Sequence, residues 1–332
     1  MPRVPRRPGA EQGNSTMRLG IAITAFAVSA SLTAAAAAQE PVKLRLAMSG
    51  WTGFAPITLA KQLGIFQKHG IDLDIVKMPT TNRHQAMASG DVQVITTTVD
   101  THLLYASSGV PVVQVLALDT SSGGDGIAVR KDVASVEALK GKSIAVQFGS
   151  DSQFWLAYLL KQHGLSLADV KLTDLQPADA AAAFVAGQFD VAVTYEPYLS
   201  NIRKDPNGKI LITSAETPGV IIDTLAFQPD YVEAHPEVVK GVVESWFEAL
   251  DYIKANPAEA NKIMGADVNQ TAEQFAESAK FVTWYDRAAN KTYMAETMPK
   301  FIKEAADVML EAKLLRREPA DLAALYTAKF VQ

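Results

Sequence analysis

Short apolar or alternating runs, each followed by a helical stretch, succeed one another from residue 43 to residue 227. This alternation constrains the fold more than any single motif. Leu44, Leu46 and Met48 alternate with Lys43, Arg45 and Ala47, the pattern of a half-buried strand. Residues 49–54 read as a loop, Pro56 suits the first turn of a helix, and Gly64 suits its stop. Ile71, Leu73 and Ile75 alternate with Asp72 and Asp74 in a second strand. Strands are expected again over 92–96 and 110–118, with helices over 83–89 and 98–108. A glycine-rich break at 120–126 precedes a second set, with strands at 127–130, 143–148, 170–175, 191–194 and 210–212. Helices at 136–139, 152–163 and 178–186 lie between them, and a strand at 221–227 returns to the first set. Further on the pattern is helical: 236–255, 257–264, 271–282, 298–315 and 319–329. Val238, Val242, Trp246, Leu250 and Ile253 make one apolar face of the longest of these helices. Strands alternating with helices predict an α/β fold with mostly parallel sheets.

Residues 1–38 read as an export leader. Arg3, Arg6, Arg7 and Arg18 supply the positive region, 21–34 the apolar region, and Ala36-Ala37-Ala38 before Gln39 the cleavage pattern. Met17 is an alternative start. The apolar region is too short to span a bilayer, and no later run reaches about 18 apolar residues. The expected product is a periplasmic chain with no membrane helix. There is no cysteine, which removes a lipid anchor, disulfides, thiol catalysis and thiolate metal sites from the expectations. Removing the leader takes away four Arg and Glu11, leaving 27 basic and 35 acidic side chains, net −8. That balance argues against nucleic acid or an anionic membrane surface as partner.

Five stretches resemble the nitrate/sulfonate/taurine-type solute-binding proteins of ABC importers. They are Trp51-Thr52-Gly53-Phe54-Ala55-Pro56 with Leu59-Ala60 and Gly64-Ile65-Phe66; Gly70-Ile71-Asp72-Leu73; Leu118-Asp119-Thr120 through Asp125-Gly126-Ile127; Leu139-Lys140-Gly141-Lys142-Ser143-Ile144-Ala145-Val146; and Ala186-Gly187-Gln188-Phe189-Asp190 leading to Tyr195-Glu196-Pro197-Tyr198. The resemblance covers essentially the whole chain after the leader. It implies a two-lobed α/β fold of the type II periplasmic binding kind, with the ligand cleft between lobes. Lobe I would comprise 39–124 plus 225–332, and lobe II 125–224. It also implies closure on a small solute and delivery to an inner-membrane permease and ATPase. A monomer with no cofactor and no metal ligand set is expected, and a metal ion bridging the acidic residues stays open.

Candidate ligand contacts fall where strands end. Trp51 can stack on a planar ligand or cover a cation, or serve as a lid. Thr98, with Thr96 and Thr97, closes a strand and opens a helix, so it can hold a polar ligand or cap the helix. Ser150 and Ser152 stand at the matching turn of the second set, where Asp151 already offers charge to the helix dipole. Tyr195 and Glu196 follow an apolar strand. Glu196 suits an amine or guanidinium partner, or a structural ion pair. Asp119, Asp125 and Asp223 lie near the expected lobe crossings and can serve the ligand or the hinge.

Against these carboxylates, only Arg83 and His84 have comparable claims as basic residues. The balance points to a small cationic, zwitterionic or neutral nitrogen-rich solute: an amine, a guanidino or urea-like compound, or a taurine-like one. Sulfonate and nitrate stay open, because backbone N–H groups can hold an anion. Two rival classes remain: an enzyme using His84 or His102 with Glu196, and a sensor module that docks on a receptor instead of a permease. No metal-spaced histidines, no G-x-S-x-G and no G-x-G-x-x-G support an enzyme.

Overall fold

The computed structural model describes residues 40–332, so the expected leader lies outside the described residues. Among the described residues, eleven strands form two sheets. Strands β1 (Val42–Met48), β2 (Ile71–Lys77), β3 (Val94–Thr98), β4 (Val113–Ser121), β10 (Ile222–Phe227) and β11 (Val282–Trp284) make the first, ordered β11-β4-β10-β3-β1-β2. Strands β5 (Asp125–Arg130), β6 (Ser143–Val146), β7 (Lys171–Asp174), β8 (Val191–Tyr195) and β9 (Gly208–Thr213) make the second, ordered β7-β6-β8-β5-β9. Burial follows position in the sheet. Central β3 and β10 are buried at every residue, whereas edge strand β2 buries Ile71 and Leu73 and exposes Asp72 and Asp74.

The expectation of mostly parallel sheets is corrected. Only β1–β2, β1–β3, β6–β7 and β6–β8 pair in parallel, while β10 runs antiparallel to β3 and β4, and β5 antiparallel to β8 and β9. Parallel neighbours need a helical crossover within their own sheet. Strands β5 and β10 instead arrive from the other sheet, through connections with no α-helix in them. Those two connections are stitched together. The Ser121 and Ser214 hydroxyls lie 2.7 Å apart, and Gly123 N–H donates to Ser214 Oγ at 2.8 Å.

Two helices expected near the C-terminus are also corrected. The one at 271–282 ends at Ser278, because Val282–Trp284 pairs with β4 as strand β11. The one at 319–329 is reduced to a single 3₁₀ turn, Ala323–Leu325. There Thr327 N–H donates to Gln114 O at 2.9 Å, and Leu325, Phe330 and Val331 are buried in the first sheet's core. Sheet pairing and apolar burial outweigh weak local helix propensity here.

Candidate functional site

The parallel strands of both sheets end toward one another, and their C-terminal ends carry the site residues. Ser49 and Trp51 follow β1, Thr97 and Thr98 end β3, and Tyr195 ends β8. Asp125 opens β5. Asp223 lies at the start of β10, whose antiparallel course brings that end beside Thr98. Two helices complete the ring. Arg83 comes from Thr80–Ala88, and Asp151 is the first residue of Asp151–Gln162. These side chains, with Phe54, Thr80 and Ile221, line a cavity of about 20 Å³, room for about one water. An outer cleft of about 250 Å³ shares Ser49, Thr80 and Tyr195 with it and opens past Gly50 and Tyr198.

The cavity is short of positive charge. Asp125, Asp151 and Asp223 line it, and all are buried. Asp119 lies one layer out, fully buried and in register with Asp223 on the neighbouring strand. Burial raises all four carboxyls above the usual carboxylate range, and mutual repulsion adds to it for Asp125 and Asp223. For Asp119 burial pushes the value to about 7, against the hydrogen bond from the Trp51 indole.

Arg83 is the one cationic side chain lining the cavity, 1% exposed. Burial lowers it to about 10, with Tyr195, Asp223 and Asp151 holding it up, so it stays charged at neutral pH. Its Nε donates to Met78 O at 3.2 Å and its Nη1 to Thr96 O, while Nη2 has no partner. A buried guanidinium with one free edge is a ready donor to an anionic group. Behind it, His84 Nε2 and His102 Nδ1 lie 3.0 Å apart, and burial holds both rings neutral.

The structure brings Trp51, Thr98, Asp125, Tyr195 and Asp223 together around the cavity. Asp119 reaches it through Trp51, whose indole N–H donates to Asp119 Oδ1 at 3.0 Å. It does not bring the remaining candidates to the cavity wall. Ser150 donates to Gln147 O at 2.8 Å, and Ser152 Oγ sits 3.4 Å from Asp151 Oδ2. Glu196 faces the other way. Its Oε2 accepts from Ser200 N–H at 3.1 Å, and its Oε1 is 3.5 Å from Arg203 Nε. The histidines pair with each other and Glu196 with Arg203, so the acid–base pairing of His84 or His102 with Glu196 is not assembled.

Thr98 precedes the helix Val99–Ser107, yet its hydroxyl meets Thr101 Oγ1 at 2.9 Å and does not cap the backbone. Sequence reasoning weighed Arg83 and Asp151 in the charge balance of the cleft but did not name either as a ligand contact. The usable signal was that each sits in the first turns of a helix entered from a strand end.

Comparison with known proteins follows the same lines. Residues 51–260 match the family described as NMT1/THI5 like. The taurine-binding periplasmic protein of Escherichia coli (strain K12) is 33% identical over 177 residues, 52% of this chain and 54% of that protein, so the match spans about half of that relative's length. The alkanesulfonate-binding protein of Xanthomonas axonopodis pv. citri, solved bound to MOPS, superposes with a TM-score of 0.75 at 20% identity, over 87% of this chain and 99% of that one. The periplasmic nitrate-binding protein of Synechocystis PCC 6803 superposes with a TM-score of 0.69 at 16% identity, over 88% and 87%. The fold is therefore the two-lobed α/β fold of periplasmic binding proteins, as the sequence resemblance implied. With nearly two thirds of its length matched, the chain belongs to the NMT1/THI5-like family.

Proposed function

We propose that this protein is the periplasmic solute-binding component of an ABC importer and that it captures a small zwitterionic or cationic amine in the cavity between its sheets. One observation carries the reading: three buried aspartates face a single buried guanidinium with a free edge. An ammonium group supplies the charge the aspartates lack, and a sulfonate or carboxylate end takes Arg83 Nη2. A taurine-like solute has both ends, and a taurine-binding protein is among the relatives. Trp51, Thr98, Asp125, Tyr195 and Asp223 form the solute shell with Arg83 and Asp151.

The first sheet with its helices would be lobe I, 39–124 plus 225–332, and the second lobe II, 125–224. Because β10 joins the first sheet from Ile222 onward, the second boundary is better set near 221. A cavity of about 20 Å³ is smaller than any such solute, so capture requires the lobes to part and close again. Only the closed, loaded form would engage the permease and ATPase. Among the described residues no helix is long and apolar enough to cross a membrane, which suits a periplasmic carrier.

Thermal unfolding of the chain from residue 39 onward, with and without solutes, tests this. A solute at 100 times its Kd adds about 2.7 kcal/mol of stability. A shift with taurine or small amines that Asp223→Asn removes supports the reading. The second reading, an anion carrier, rests on the free Nη2 of Arg83. It is favoured if only alkyl sulfonates or nitrate shift the transition and Asp223→Asn leaves that shift intact.

A further inference from the structure

Trp51 is held on three sides before any solute meets it. Its indole N–H donates to Asp119 Oδ1 at 3.0 Å, and the Tyr195 ring meets it edge-on with centroids 5.6 Å apart. The benzene edge of the indole rests against Gly124. A Cβ built there would lie 2.4 Å from Trp51 Cη2 and 3.1 Å from Cζ3. The opposite, pyrrole edge rests against Gly53, where a Cβ would lie 2.2 Å from Nε1 and 2.3 Å from Asp119 Oδ2. Neither glycine has a left-handed φ. Both positions therefore need glycine for space and not for backbone freedom.

The backbone at Gly124 cannot retreat to make room. Its carbonyl accepts Glu196 N–H at 2.8 Å, Gly123 N–H donates to Ser214 Oγ at 2.8 Å, and Ser122 N–H donates to Phe281 O at 2.8 Å. Phe281 O would itself stand 3.2 Å from the new methyl. The indole cannot slide toward Gly53 either, because Asp119 and Gly53 close that side. The direction left is into the cavity.

We propose that Gly124 is a specificity-determining residue: by recessing the indole of Trp51 it sets the longest solute the cavity accepts, with Gly53 fixing the other edge. Trp51 is then a fixed wall and not a mobile lid. This rests on the reading of the cavity as the solute site, and it adds the means by which solute length is selected.

Calorimetric titration of aminomethanesulfonate, taurine and 3-aminopropanesulfonate into wild type, Gly124→Ala, Trp51→Phe and the double variant tests it. For Gly124→Ala, the longest homologue that wild type binds should lose affinity about tenfold, and the shortest less than about threefold. Trp51→Phe alone should favour the longer homologues, since the smaller ring leaves the edge beside Gly124 empty. In the double variant the phenyl ring should restore the longest homologue to within about threefold of wild type.

Equal losses across all three homologues would mean that the methyl damages the crossing and not the wall. An unchanged order of affinities in both single variants, or no rescue in the double variant, would overturn the assignment while leaving the solute reading intact. If wild type binds none of the three, the solute reading itself fails and this inference goes with it.

Discussion

Two buried carboxylate sites lie on either side of the end of β8, and they are built on opposite terms. On one side Asp125, Asp151 and Asp223 crowd around Arg83 in a small pocket, with Tyr195 as one wall. On the other, Glu196 is fully buried but has Ser200 N–H at 3.1 Å and a guanidinium of its own, Arg203, 3.5 Å away. Arg203 also lies over the Phe281 ring, 4.8 Å from its centroid, and reaches Gly123 O at 3.4 Å. Glu196 is thus one part of a brace that ties the end of β8 to the connection between the sheets. Burial raises the proton affinity of both groups, but the brace gives one carboxylate a guanidinium of its own, whereas three cluster carboxylates share Arg83. A carboxylate with a resident partner holds structure together. A carboxylate cluster short of cations is poised to accept one.

The largest expected effect separates the two sites by binding. Asp223→Asn should weaken taurine about 100-fold, the loss of a charge-assisted contact worth nearly 3 kcal/mol. Glu196→Gln should leave that affinity within about twofold. Calorimetric titration of both variants checks this. Should the two variants exchange these outcomes, the brace would be the solute site and the comparison would be inverted.

The end of β8 explains why both residues drew notice in the sequence and why only one reaches the cavity. Tyr195 is the last strand residue and lines the cavity, while Glu196 lies in the turn that follows, where Ser200 N–H and Arg203 take its carboxylate. The strand end was readable in the sequence. What was missing was the short helix Tyr198–Ile202 that supplies those partners. Asp119, Asp125 and Asp223 were legible because each ends or opens a strongly apolar strand, and strand ends carry ligands in α/β folds.

Arg83 was harder to weigh, since its short helix is weakly amphipathic and its burial comes from β3, which a local pattern does not contain. Gly124 sits in a run that reads as a connection, and its role depends on an indole 73 positions earlier in the chain. Strand β11 and the extended C-terminal segment were hidden for the same reason. Their partners, Asp119 to Ser121 and Gln114, are distant in sequence.

The second effect is on stability, and pH reveals it. Asp119 titrates near 7 in the folded chain against 3.8 as its ordinary value. Between those pH values the folded state keeps a proton that the unfolded state has lost. Its contribution is complete below about pH 4 and is lost as pH rises toward 7. Asp119→Asn removes that titration while Asn Oδ1 still accepts the Trp51 N–H. Urea unfolding of the solute-free protein from pH 4.5 to 7.5 should show wild type losing on the order of 2 kcal/mol more than the variant. Parallel curves would mean that Asp119 ionises like a surface carboxylate and that the cluster is not short of charge. For the brace the expected change is smaller. Glu196→Gln keeps an acceptor for Ser200 N–H but loses the ion pair, and at pH 7 it should cost about 1 kcal/mol in the same assay.

The smallest effect comes from a third ion pair, which isolates burial as the variable. Lys161, on the helix Asp151–Gln162, pairs with Glu311, on the helix Met298–Glu311, so this pair links the two halves, whereas the Glu196–Arg203 pair lies within the second. The Lys161 and Glu311 side chains are 42% and 62% exposed, against none for Glu196. Water and salt compete for both groups, and ordering two long side chains offsets much of the attraction. Lys161→Met should therefore change unfolding free energy by no more than about 0.5 kcal/mol, and taurine affinity by less than about twofold. Burial would then be what gives the Glu196–Arg203 pair its value, and an exposed pair between the two halves would carry little. A tenfold loss of affinity with unchanged stability would reverse that ranking. It would make the Lys161–Glu311 pair a latch of the closed form, because only a contact made on closing can weaken binding without weakening the fold.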